Sequence, residues 1–202
     1  LSMNNLKNIP IFPLQSIILP GGQFPLRIFE RRYLDMIKNS LRDNSGFVIA
    51  LTKKDADYIS SVHEYACYVE VVDWSQLDGG LLGITVEGKK IVTLSNCELN
   101  EGNLLMGHAK EIESSIDYLI PAKYQILSKF YRKIYPEIKA YIFHNQSKYN
   151  DANWVGFRLI ECLPIQICDK ADLIATNEPL DRLEKILHIV KRIYPKELNL
   201  LD

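Results

Sequence analysis

The chain lacks most of the features that mark a chemistry. Its four cysteines, Cys67, Cys97, Cys162 and Cys168, show no CxxC spacing. Disulfide frameworks belong mainly to small secreted domains, and the opening LSMNNLKNIPIF has neither the basic region nor the apolar core of a secretory signal. Four reduced thiols and a cytoplasmic location are therefore expected. No apolar run approaches the roughly 18 residues of a membrane span, so no membrane association is expected. Charge of one sign is missing as well, since 24 Lys+Arg against 25 Asp+Glu leave a net charge of −1. Residues 1–115 hold 11 basic and 14 acidic residues, and residues 116–202 hold 13 and 11. Proteins that grip phosphate backbones carry a stronger basic bias, so nucleic acid is not the expected partner.

Catalytic signatures are equally scarce. A phosphate-binding loop needs GxxxxGK[ST], yet Gly21-Gly22 leads into Gln23-Phe24-Pro25. The nearest alternative, Gly88-Lys89-Lys90, lacks the hydroxyl. His63, His108, His144 and His188 form no i, i+4 pair, and there is no HExxH. A zinc site from Cys162, Cys168 and a distant histidine is a weaker reading than plain packing, because free cysteine is among the most buried residue types. GxSxG is absent, and no two carboxylates form a recognisable acid–base pair. A small hydrolase would need a closed pocket with perturbed titratable groups. The expectation is a non-enzyme with no catalytic residue, no cofactor and no metal.

What the chain does have is an ordinary globular composition, 47% hydrophobic and 24% charged over 202 residues. A chain of this size buries roughly 70% of its unfolded surface, so it needs no staples. Leu1 and Ser2, ahead of Met3, read as foreign to the natural chain and are left out of fold reasoning.

The first half reads as strands and turns. IPIFPL (9–14) carries two prolines, which cannot donate to a central ladder, so it is expected at a sheet edge. GFVIALT (46–52) has the pattern of a buried strand. YACYVEVVDW (65–74) and LLGITV follow, joined by an Asp78-Gly79 hairpin turn of type I′. Gly88 is expected to make another turn, and NLLMGHAKEI (103–112) the last strand. One helix interrupts, with Leu34, Ile37 and Leu41 on one face and Asn44 and Gly46 at its end.

The second half changes period. Pro121 fits a first helical position, followed by the stripe Tyr124, Leu127, Phe130, Tyr131 and Ile134. Pro136 should kink that helix, with EIKAYIFHN continuing it. Tyr131, Tyr135 and Tyr141 beside Lys129, Arg132 and Lys133 match a single-strand nucleic-acid platform, but packed tyrosines with solvated lysines are the preferred reading. WVGFRLIECLP forms a buried helix with Asn153 as its cap. Asp169 caps KADLIAT, and Pro179 opens a helix faced by Leu180, Leu183, Leu187 and Val190 that Pro195 closes. The fold class is α+β: a β-rich unit over 1–115 and a helical unit over 116–202.

IPIFPLQSIILPGGQFPLRIFERRY resembles the opening signature of the Lon protease amino-terminal, substrate-binding domain family. The agreeing positions are Pro10, Phe12, Pro13, Leu14, Pro20, Gly21, Pro25, Leu26, Ile28, Phe29, Glu30, Arg32 and Tyr33. LDGGLLGITVEGKK resembles the family's later hairpin, and ECLPIQICDKADLIATNEPLDRLEKIL its helical end. The likeness runs from about residue 8 to 192 and is to the domain in its stand-alone form. It implies a PUA-like β-barrel-type subdomain followed by a helical bundle. It also implies a module that binds unfolded or degron-bearing polypeptides, in partnership with a protease or ATPase. A PUA-like nucleic-acid binder is the alternative, and it would show a contiguous basic face.

Within the signature, Phe24, Leu26 and Ile28 alternate as a strand face, and Arg32 is placed to hold a carboxylate at a strand-to-helix corner. The polypeptide contact is assigned to Phe12 and Leu14, on the outer face of the expected edge strand.

Overall fold

A computed structural model describes residues 5–53, 61–112 and 118–201. The expected boundary at residue 115 lies outside the described residues. The strands are β1 (Leu6–Leu14), β2 (Gln23–Ile28), β3 (Phe47–Leu51), β4 (Tyr65–Gln76), β5 (Leu82–Leu99) and β6 (Leu105–Glu111). Helix α1 (Arg31–Asp43) lies between β2 and β3. After β6 come α2 (Gln125–Ile138), α3 (Ala152–Cys162), α4 (Ile167–Ala175), α5 (Pro179–Ile193) and α6 (Pro195–Asn199).

The strands form one mixed sheet in the order β2-β5-β4-β3-β1-β6, with a further β5–β6 pairing. Pairing therefore runs in a ring through β1, β3, β4, β5 and β6, and β2 hangs on β5 outside it. The length of β5 makes this possible: Leu82–Glu87 faces β2, Leu82–Thr93 faces β4, and Val92–Leu99 faces β6. Among the named strands β1 and β3 form the one parallel pair in the described residues, and a parallel pair needs a long crossover, which the segment with β2 and α1 supplies.

This topology corrects the place of IPIFPL. β1 is an interior strand, antiparallel to β6 and parallel to β3. Its prolines are tolerated because the two pairings are staggered. Pro10 lies opposite Met106 in the segment paired with β6, and Pro13 opposite Ala50 in the segment paired with β3. Each proline thus has a ladder on one side only, and its missing N–H faces the other.

Two buried clusters meet at β1 and β3. Ile9, Ile11, Val48, Ala50, Val92, Leu94 and Leu105 pack within the ring. Phe12, Phe47, Ile49 and Leu51 point the other way, into a cluster that continues through Ile37, Phe130, Trp154, Leu183 and Leu198. All five residues of β3 are buried, because both of its faces are cores. The larger cluster draws on β-strands and on α1 to α6 alike, so strands and helices share one apolar interior.

Several local expectations shift. On α1 the buried residues are Tyr33, Met36, Ile37 and Ser40, with Leu41 exposed, so the face is turned from the one read from Leu34 and Leu41. Asn44 does end that helix, in the left-handed conformation with its N–H bonded to the Ser40 carbonyl. Gly79 and Gly80, not Asp78 and Gly79, hold the positive φ angles of the β4–β5 connection. Gly88 is no turn: it lies inside β5, where a Cβ would stand 2.3 Å from the Leu19 carbonyl oxygen. Pro136 leaves α2 only as far as Ile138, and 139–145 is not helical. The cap of α3 is Asp151, whose Oδ1 accepts the Trp154 N–H at 2.6 Å, rather than Asn153. Gln166, not Asp169, precedes α4, and Pro195 opens α6 while it closes α5.

Gly88→Ala is expected to destabilise the protein by roughly 1–3 kcal/mol, since backbone on the other side of the contact must move. Urea denaturation of the variant against wild type measures it.

Candidate functional site

The LPGG turn after β1 is bound to α3. The Leu19 N–H donates to Glu161 Oε1 at 2.7 Å, and Arg158 Nη2 donates to the Leu19 carbonyl at 3.0 Å. Arg158 and Glu161, one helical turn apart, also bond to each other at 2.6 and 2.5 Å. Both side chains are fully buried. Burial pushes the Glu161 carboxyl up from its ordinary value, while Arg158 and the Leu19 N–H oppose that rise. A Cβ at Gly22 would stand 2.6 Å from both Arg158 Nη2 and Glu161 Oε1, so only glycine lets the turn approach this pair. The double glycine therefore serves a charge clamp within the protein.

Beyond the clamp the chain enters β2. Gln23 exchanges two backbone bonds with Phe143, at 2.6 and 3.2 Å, across the side away from β5. Past Gln23 the outer edge of β2 has no strand partner among the described residues. At the far end, Arg32 bonds to Glu30 at 2.6 Å and to the Asn103 carbonyl at 2.8 Å, which pins the corner into α1 as expected. Phe29, between these two fixed ends, is 71% exposed.

A second exposed aromatic, Trp74, lies on β4, two strands away from β2. Leu26, Ile84 and Trp74 occupy one cross-strand row over β2, β5 and β4. Ile84 is buried, Leu26 is half-buried, and Trp74 is 60% exposed because β4 outruns the core there. These residues and Pro25, Arg27, Asp73 and Leu77 line an open cavity of about 220 Å³. A second groove, of about 380 Å³, lies between Tyr118-Leu119 and Ser147–Asp151. Its two segments are bonded to each other, the Ile120 N–H to the Asn150 carbonyl and the Ala152 N–H to the Tyr118 carbonyl.

The residues first assigned to polypeptide contact sit elsewhere. Phe12 is 8% exposed and packs edge-on against Tyr33 at 4.2 Å and near Phe47 at 6.4 Å. Its ring has no outer face to offer, because β1 is interior. Leu14 is half-buried against the same cluster. Trp74 and Arg27, which line the sheet cavity, are not among the residues expected from the sequence. The available signal was in β4, where Val72 and Trp74 follow an alternation that no longer matches a core.

Other candidate chemistry is dispersed. No group of three metal-ligating side chains occurs among the described residues. Burial pushes the Cys162 thiol up to about 12 and raises Cys67 as well. Tyr131 and Tyr135 pack with His144 and Trp154, and only Tyr141 is exposed. No helix is long and apolar enough to cross a membrane among the described residues.

A mixed sheet with an appended strand, locked by a buried ion pair to a helical bundle, defines an α+β domain with an exposed aromatic sheet surface and no clustered catalytic groups among the described residues. Residues 8–192 match the model of the ATP-dependent protease La (LON) substrate-binding domain, and the chain belongs to that family. A Lon protease of Buchnera aphidicola subsp. Schizaphis graminum is 20% identical over 195 residues, covering 91% of this chain and 25% of its own. The chain thus spans about a quarter of that relative's length. A Lon N-terminal domain protein from Xanthomonas campestris is 26% identical with a TM-score of 0.75, over 91% of this chain and 98% of its own. The N-terminal domain of a Mycobacterium avium complex Lon protease shares the fold, with a TM-score of 0.59 at 16% identity, over 90% of this chain and 97% of its own.

Glu161→Ala leaves Arg158 charged and buried without its carboxylate, and a loss of about 3–5 kcal/mol is expected. Chemical denaturation of the folded variant reads it directly. Burial, followed by the Arg158 charge, holds the His144 pKa below its ordinary value. The folded protein then binds that proton less tightly than the unfolded chain does. Stability should therefore fall as pH drops through about 6.5. Melting curves at pH 7.5 and 5.5 should differ less for His144→Phe than for wild type.

Proposed function

We infer that this chain is a non-catalytic recognition module that binds extended polypeptide through the β2-β5-β4 surface. Family membership supports the substrate-recognition role. One observation favours this surface: the row Leu26–Ile84–Trp74 runs from the open outer edge of β2 across to the exposed Trp74, and Phe29 stands exposed just past the end of β2. Exposed aromatics supply most of the energy in protein contacts, and an open edge supplies backbone bonds. The groove at Leu119 lies between two segments that already pair with each other, so it is the lesser site. Charge agrees with this partner, since a net −1 gives no general attraction to nucleic acid. Unfolded or degron-bearing chains are the ligands this reading assigns, and a protease or ATPase is the partner that would act on them.

Titration of fluorescein-labelled unfolded casein tests the reading. Wild type should bind without ATP, and Trp74→Ser should bind roughly 10- to 100-fold more weakly, about 1.4–2.8 kcal/mol. Leu119→Ser should bind as wild type does. Binding lost by Leu119→Ser and kept by Trp74→Ser would move the site to the other groove.

A further inference from the structure

We propose that a bound polypeptide adds to β2 as one more antiparallel strand, paired across Arg27. The proposal rests on the polypeptide-binding reading above and specifies how the backbone is held.

The parity of β2 carries it. Gln23 directs both its N–H and its C=O outward, to Phe143. Successive residues of a strand alternate in direction, so residues 23, 25 and 27 face outward and 24, 26 and 28 face β5. The bond from the Gly88 N–H to the Gly22 carbonyl, at 3.0 Å, agrees, since it turns residue 22 and hence 24, 26 and 28 toward β5. Pro25 then falls where its missing N–H costs the β5 ladder nothing. The outward groups left over are the Pro25 C=O and the Arg27 N–H and C=O. No hydrogen bond to any of the three occurs among the described residues. They form one donor and two acceptors in line with the Gln23–Phe143 bridge, which already shows an antiparallel backbone seated on this edge.

The occupant follows from the same geometry. Arg27 exchanges two bonds with one peptide residue, and the Pro25 C=O accepts a third from the residue two further on. The peptide side chains between and beyond these positions lie on the face of Leu26 and Ile28. One of them extends the row Leu26–Ile84–Trp74 by a strand, so apolar residues suit those places. The residue opposite Arg27 is best acidic or uncharged. The Phe143 bridge at one end and the corner at Glu30 at the other limit the paired segment to about five residues. A second copy of this chain fits badly. Aligned on Arg27 it sets like charges face to face, and in the neighbouring registers Pro25 removes the paired donor.

Arg27→Pro removes the outward N–H and leaves the β5 ladder intact, whereas Arg27→Ala keeps the N–H. Unfolded, fluorescein-labelled casein is the probe, with circular dichroism and thermal melting as the fold controls. Arg27→Pro should bind roughly tenfold more weakly, and Arg27→Ala close to wild type. A folded Arg27→Pro that binds like wild type overturns strand addition while leaving polypeptide binding standing. Wild type that fails to bind casein overturns both. Should Arg27→Pro not fold, amide exchange of wild type decides. Saturating casein should slow exchange at the Arg27 N–H, and an unchanged rate there overturns the proposal.

Discussion

Leu19 is held at both its backbone groups by two charged side chains of one helix. Glu161 accepts its N–H, Arg158 donates to its C=O, and the two side chains bond to each other. Neither charge is tolerable alone in a dry interior, and each gains a bond to the backbone only when the LPGG turn is in place. The clamp therefore couples the exit of β1 to α3, across 142 residues of sequence. Gly88 of β5 backs onto the same Leu19 carbonyl, so three distant segments meet at one peptide group.

The position of β2 depends on that junction. The turn leaves the clamp and enters β2 through Gln23, which is bonded on one side to Phe143 and through its side chain to Glu87. β2 is thereby fixed outside the ring of strands, with β5 as its sole strand partner among the described residues. A strand in that place must present an edge. Pro25 and Arg27 guard this one against self-pairing and still leave a donor and two acceptors. Trp74 and Phe29 stand exposed because β4 and the β2–α1 corner both reach past the core.

Much of the fold was legible in the residues. Leu127, Phe130 and Tyr131 of α2 and Leu183, Leu187 and Val190 of α5 are buried as expected, with Ile134 and Leu180 only half-buried, and the thirteen-position signature names the family that the comparisons support. The failures share a cause. Whether a proline-bearing strand is an edge depends on which strands flank it, and β1 is flanked by β3 and β6, which lie tens of residues away. Gly88 looked like a turn because its constraint is a contact with Leu19, not a local angle. Asp151 and Asn153 are both good caps, and the choice is made by where the backbone turns helical. The site suffered most. Phe12 and Leu14 were chosen on the expectation that β1 is an edge, whereas β1 lies between β3 and β6, and the direction of the Arg27 backbone is legible only once the parity of β2 is known.

Mapping of backbone amide shifts in the labelled protein, on addition of an unfolded casein fragment, tests the recognition surface most directly. The account predicts that the changes cluster at 24–29 in β2 and at 72–77 and 82–85 in β4 and β5. Changes centred on 118–119 and 147–151, or none at a concentration where the fragment is bound, would contradict it.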